Sequence, residues 1–197
     1  DRPISEEIRF DSEGASILLQ ACEVLAGQLY EDETFTQTGE TGKWHRQQGE
    51  ERALTWMRPR ARGGFAEWDV PASFEQILVA LSHLLEYGER QEVWETAAIM
   101  TDKVLITIAI NSYKGVFGST QGDGGSPLVK SGLLNPTAGI SRLMWGMGVF
   151  NEHLAGTVSL ACMEEYGFPR IIQAIATDAS EALWHRERYA PADSGVQ

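Results

Sequence analysis

The sequence predicts an all-α domain of antiparallel helical hairpins, and three observations carry that expectation. Apolar residues recur at steps of three and four in each long segment. Residues that start helices, and the Gly or Pro that stop them, punctuate those segments at short intervals, so each helix turns back on the last. No segment shows the strict alternation of a half-buried strand. With 197 residues, 43% hydrophobic and 22% charged, the chain has material for one core and is not disordered.

Residues 1–12 are polar and irregular. From Glu13, the residues Ile17, Leu18, Cys22, Val24, Leu25 and Leu29 form an apolar stripe that ends near Tyr30, before the acidic Glu31-Asp32-Glu33. A second helix is expected over 42–58, stopped by Pro59, with Trp44, Ala53, Leu54, Trp56 and Met57 as its buried side. Gly63 to Asp69 reads as a loop or short extended segment. Pro71 suits the first turn of a third helix carrying Phe74, Ile77, Leu78, Leu81 and Leu85, closed by Gly88. The fourth, from about Arg90 to Ser112, is apolar on all sides between Val104 and Ile110 and so belongs inside a helical body. The glycine-rich stretch 115–136 is the one long irregular connection. Helical patterns resume over 137–150, 152–166 and 169–182, and 183–197 is a polar tail. Seven helices in hairpins around an apolar inner helix follow the logic of a partial or complete α/α toroid over 13–182, with a plain bundle as the alternative.

Sixteen basic and 28 acidic residues give a net charge of −12, which repels nucleic acid and anionic membranes. Between Lys43 and Arg62, six basic residues face two acidic ones, a pattern that reads as an ion-paired, solvated helix face, with an anion-binding wall as the alternative. Cys22 and Cys162 lie in apolar helical contexts and are expected to be buried thiols rather than a disulfide. The four histidines are scattered and form no metal-ligand spacing, so neither metal nor cofactor is expected. No secretory signal or bilayer-length apolar run is visible, which makes the cytoplasm the default compartment. The chain opens at Asp1, so a segment upstream is expected.

Five phrases stand out: Thr41-Gly42-Lys43-Trp44-His45-Arg46, Gly64-Phe65-Ala66-Glu67-Trp68-Asp69, 111–120 (Asn-Ser-Tyr-Lys-Gly-Val-Phe-Gly-Ser-Thr), Ser141-Arg142-Leu143-Met144-Trp145-Gly146, and Tyr166-Gly167-Phe168-Pro169. Together, from about Ser12 to Ala190, they resemble uncharacterised bacterial proteins of the six-hairpin (α/α)-toroid type. That type is related in architecture to glycosidases and heparinase-like polysaccharide lyases. The resemblance implies a carbohydrate substrate and a β-rich portion following the helical part. The sequence departs from the family pattern in three places: Gly14-Ala15 stand for Asn-His, Phe74 for a tyrosine, and Gln121-Gly122-Asp123 for His-Gly-Arg.

Glu67 and Asp69 are the candidate catalytic carboxylates. In an extended segment they share a face with side chains starting about 6.6 Å apart. That is near the roughly 6.5–9.5 Å spacing of an inverting glycosidase. The competing role for Asp69 is to cap the helix at Pro71, with Glu67 paired to an arginine. His45 is a candidate base, and Arg46 a bidentate clamp for a sugar carboxylate. Trp44 and Trp68 offer aromatic faces for sugar rings. Glu13, Tyr113 and Gln121 complete the expected substrate-binding set, in a cleft at the helix ends that carry Glu13, His45, Glu67, Asp69 and the 118–125 loop. The functional expectation is therefore a carbohydrate-processing domain, a glycoside hydrolase or polysaccharide lyase. The alternative is a non-catalytic scaffold or interaction domain that keeps the toroid and has lost its chemistry.

Overall fold

The computed structural model describes residues 12–119, 130–180 and 182–187. Among them are seven α-helices: α1 (Glu13–Leu29), α2 (Gly42–Arg62), α3 (Pro71–Tyr87), α4 (Gln91–Ile110), α5 (Ala138–Trp145), α6 (Ala155–Ala161) and α7 (Arg170–Thr177). The Ser12 hydroxyl caps α1 by accepting from the Ala15 amide at 3.1 Å, and Thr41 caps α2 by accepting from Trp44 at 3.3 Å. Pro71 opens α3 and Gly88 closes it, as expected.

Pro59 does not end α2, which continues to Arg62. The proline leaves only the Thr55 carbonyl without its helical donor. Thr55 and Pro59 both lie on the exposed side, where water replaces the lost bond. The last turn is then held from outside: Lys103 of α4 donates to the carbonyls of Arg60 at 2.7 Å and Gly63 at 2.5 Å. An ammonium on the free carbonyls of a helix C-terminus also complements the helix dipole.

The last three helices are shorter than expected. Gly146 adopts φ 76° and ends α5, because a left-handed residue turns the carbonyls out of the helical ladder. A two-residue antiparallel pairing, β1 (Ser112–Tyr113) with β2 (Val116–Phe117), follows α4. Lys114 and Gly115 at its tip both have positive φ, which suits the twist of a tight hairpin. Two residues per strand are too few to leave an alternating pattern, so no strand was legible.

The helices form two layers. In one, α1 and α6 flank α3; in the other, α2 and α7 flank α4. Hydrogen bonds fix the directions. Glu13 at the start of α1 meets Glu67 just before α3, and Gln28 at the end of α1 reaches the Tyr87 carbonyl at the end of α3. Gly156 at the start of α6 donates to Glu75, while Glu164 beyond its end donates to Glu86. Neighbours within a layer therefore run parallel, and the two members of each hairpin run antiparallel. Three hairpins stack into an open array, and no closed ring forms among the described residues.

The core lies between the layers. Val104, Leu105, Ile108 and Ala109 of α4 are buried, in keeping with an apolar inner helix. Phe65, Phe74 and Phe117 stack edge to face with centroids 5.6 and 6.0 Å apart, joining the loop before α3 to the β-hairpin. Tyr166 packs edge to face on Trp94 and on Phe168, which anchors the third hairpin to α4. Cys22 and Cys162 are exposed, contrary to expectation. Cys22 lies on the outer side of α1, which no described helix covers, and Cys162 is the C-cap of α6. No helix of the described residues is long and apolar enough to cross a membrane.

α1 and α2 approach so closely that a Cβ on Gly27 would lie 2.4 Å from the Arg46 amide nitrogen. Gly27→Ala should therefore force the hairpin apart and cost about 1–3 kcal/mol, the usual price of overpacking, read from urea unfolding. Lys103→Met should cost about 1–3 kcal/mol in the same measurement, because the α2 carbonyls lose their donor.

Candidate functional site

The layer geometry divides the residues that the sequence singled out. The starts of α1, α3 and α6 and the ends of α2 and α4 lie at one end of the array. With a rise of ~1.5 Å per residue, positions 45 and 60 of α2 stand roughly 22 Å apart along the helix. Arg60 meets Glu13 at this end, which leaves His45, Trp44 and Arg46 at the other. The expected single cleft holding both Glu13 and His45 is therefore corrected. One helix carries the distant motif, and its length separates the two groups.

At the far end, His45 is buried and engaged through both ring nitrogens. Its Nδ1–H donates to Glu23 Oε1 at 3.0 Å, and Nε2 takes the Thr38 hydroxyl at 2.7 Å. Phe35 and Trp44 pack on the ring. Glu23 also receives Arg52 at 2.8 Å. Arg46 pairs with Glu50 at 3.0 Å and Glu89 at 2.6 Å, and the hydrogen bond it donates to Glu50 leads the interactions that raise its already high pKa. Arg58 pairs with Glu92, and Arg90 bridges Glu51 and Glu92. The basic stretch of α2 is thus an ion-paired face, and Arg46 is committed to protein carboxylates.

The other end holds a reciprocal clamp. The Glu13 amide donates to Glu67 Oε1 at 3.0 Å, and the Glu67 amide donates to Glu13 Oε2 at 2.7 Å. Ser73 in the first turn of α3 donates to Glu67 Oε2 at 2.6 Å. Arg60 donates through Nε to Glu13 Oε1 at 2.7 Å and through Nη1 to the Trp56 carbonyl at 2.9 Å. Its guanidinium also lies 4.3 Å from the centroid of the Trp56 ring. Glu13 and Arg60 side chains are each 8% exposed, so this is a buried ion pair with its remaining valences filled. A carboxylate on the first amide of α1 is also favoured by the helix dipole.

Asp69 behaves differently. Residues 66–69 bend and turn rather than extend, so the alternating-face geometry expected for Glu67 and Asp69 does not apply. Asp69 does not cap α3 either: Val70 is the N-cap and makes no side-chain cap bond. Asp69 sits at φ 48°, a left-handed conformation, and is 5% exposed. The Ser119 hydroxyl donates to its Oδ2. Backbone strain of about 1–3 kcal/mol at a buried carboxylate is a feature that concentrates at functional sites.

Gly118, the chain neighbour of Ser119, lines a groove of about 600 Å³ together with Asn111, Ser112, Tyr113, Ser180 and Leu183 among others. Tyr113 is exposed on its rim, with the Lys114 ammonium 5.3 Å from its ring centroid. Trp68, beside Asp69, is also exposed. Gln121, together with the rest of 120–129, lies outside the described residues. Among the described residues, no group of three or more His, Cys, Asp or Glu side chains is arranged to hold a metal ion.

Arg60, Ser73, Glu75 and His153 were not among the expected site residues, and Ser119 entered only as part of the 118–125 loop. Their partners lie far along the chain, so no local spacing announces them. Comparison with protein-family models, curated proteins and solved structures finds no match.

Glu13→Ala should cost about 1–3 kcal/mol in urea unfolding, because the Arg60 Nε–H and the Glu67 amide both lose their acceptor. Glu67→Gln should cost less than half as much. The amide oxygen still accepts from one donor, and Arg60 keeps Glu13.

Proposed function

We propose that this chain is a carbohydrate-processing domain, of the glycoside hydrolase or polysaccharide lyase type, built on an arc of an α/α toroid. The observation that carries the proposal is Asp69. It is a buried carboxylate in a left-handed backbone conformation, bonded to Ser119, whose chain neighbour Gly118 lines a groove with an exposed tyrosine and polar side chains. Aromatic faces with neighbouring amide and hydroxyl groups suit sugar rings. Parallel helices starting together at this end are consistent with a cleft of toroidal type. In this reading Asp69 is the acid or base that touches the sugar. Glu13, Glu67 and Arg60 position the loop that carries it, and His45 and Arg46 stabilise the opposite end.

One observation favours the second reading, a non-catalytic scaffold or interaction domain. Glu67 spends both carboxylate oxygens on the Glu13 amide and Ser73, and so offers no free second carboxylate.

Glycan-array binding followed by cleavage assays on the full-length protein separates the two. Asp69→Asn retains the left-handed tolerance and the shape of the residue. It should lower glycan cleavage by about 100-fold or more while leaving glycan binding within about threefold. Glycan binding without cleavage, insensitive to Asp69→Asn, would establish the interaction domain. Neither binding nor cleavage of any glycan would overturn both carbohydrate readings.

A further inference from the structure

A second pair of titratable groups stands at the same end of the array, and neither the clamp nor Asp69 uses it. Glu75 lies in the second turn of α3, roughly 6 Å along the helix axis from Pro71. Its Oε1 accepts from the Gly156 amide at 3.3 Å, and its Oε2 lies 3.6 Å from Nδ1 of His153. The Glu75 side chain is only 12% exposed, whereas that of His153 is 35% exposed. Burial pushes the Glu75 carboxyl up; the Gly156 and Ala155 amides and His153 pull it back. Gly156 leaves room for the carboxylate, since a Cβ there would come 3.1 Å from Glu75 Cγ.

The backbone that carries His153 is fixed as well. The His153 amide donates to Asn151 Oδ1 at 2.9 Å, and Asn151 Nδ2 donates to the carbonyls of Leu133 and Asn135, each at 2.9 Å. The imidazole is therefore held from its backbone and faces a carboxylate with Nδ1. No described residue hydrogen-bonds its Nε2.

We propose that His153, oriented by Glu75, is an acid–base group for a sugar bound at this end of the array. The proposal rests on the carbohydrate reading above and adds a residue to it. At 3.6 Å the contact is electrostatic rather than a hydrogen bond. A carboxylate only accepts, so its negative charge favours the tautomer with hydrogen on Nδ1 and leaves the Nε2 lone pair free. Nε2 takes an O–H proton from the bound sugar or from the water that attacks it. The O–H pair stays on oxygen, the new N–H makes an imidazolium, and Glu75 balances its charge until solvent removes the proton. A carboxylate that fixes a histidine's tautomer in this way is a recurring element of acid–base catalysis. In this arrangement Glu75 is a positioning residue and His153 the group that meets substrate.

Nitrogen-15 NMR of the full chain, with His153 assigned by comparison with His153→Gln, reads the tautomer without any substrate. The neutral ring should carry its hydrogen on Nδ1 in the wild type and shift toward Nε2–H in Glu75→Gln. A wild-type ring already in the Nε2–H form would overturn the proposal. On a glycan that the wild type cleaves, His153→Gln should lower kcat by about 100-fold or more with KM within about threefold. Added imidazole should restore at least about tenfold of that loss, which a merely structural role would not allow. Wild-type turnover in His153→Gln would also overturn the proposal. A wild-type chain that neither binds nor cuts glycans sinks the broader carbohydrate reading and this role with it, while the tautomer measurement still decides whether Glu75 orients His153.

Discussion

The buried exchange between Glu13 and Glu67, with Arg60 beneath it, is the constraint from which the functional end takes its shape. It joins the start of α1, the end of α2 and the loop before α3 through three hydrogen bonds of 2.7–3.0 Å. Each carboxylate satisfies the other residue's amide, so two main-chain donors that face the interior are paired without water. Arg60 adds the opposite charge that allows Glu13 to be buried at all. Two hairpins are thus fastened at one end by polar contacts and along their length by the apolar core. The loop between α2 and α3 is held tightly enough to keep Asp69 in a left-handed conformation.

The opposite end is organised by a separate set of charges. His45 links Glu23 and Thr38, Arg52 shares Glu23, and Arg46 spans Glu50 and Glu89. These pairs bind the loop before α2 and the α3–α4 turn to the α1–α2 hairpin. Most of them are partly exposed and individually weak. Their combined effect is to specify how the hairpin ends meet. The two ends of α2 therefore do different work. One is fastened by partly exposed ion pairs, and the other by the buried pair of Glu13 with Arg60, at the end of the array that also holds Asp69, Ser119, Glu75 and His153.

The comparison of pattern with outcome divides along the same physical line. Apolar spacing announced α1, α3 and α4 with boundaries close to those observed, because the burial of a stripe is written at fixed intervals along the chain. Pro59 misled, since its cost depends on whether the freed Thr55 carbonyl faces water or protein. Glu13, Glu67 and Asp69 were singled out as chemistry-bearing residues, yet two of the three are occupied in fastening helices together. His45 stood out as a base, and its two ring nitrogens meet a carboxylate and a hydroxyl at the end of α2 away from Glu13.

What the sequence determined by itself was the helical character and the hairpin turns, properties of neighbours within a few residues, together with the run of basic residues on α2. Only the tertiary structure decided which polar groups meet, because Glu13 with Arg60, Asp69 with Ser119 and Glu75 with His153 are brought together by packing between helices. A charge or hydroxyl carries the same letter whether it ends in water or against a distant partner. Its role is fixed only when the core between the layers sets which helix ends lie side by side.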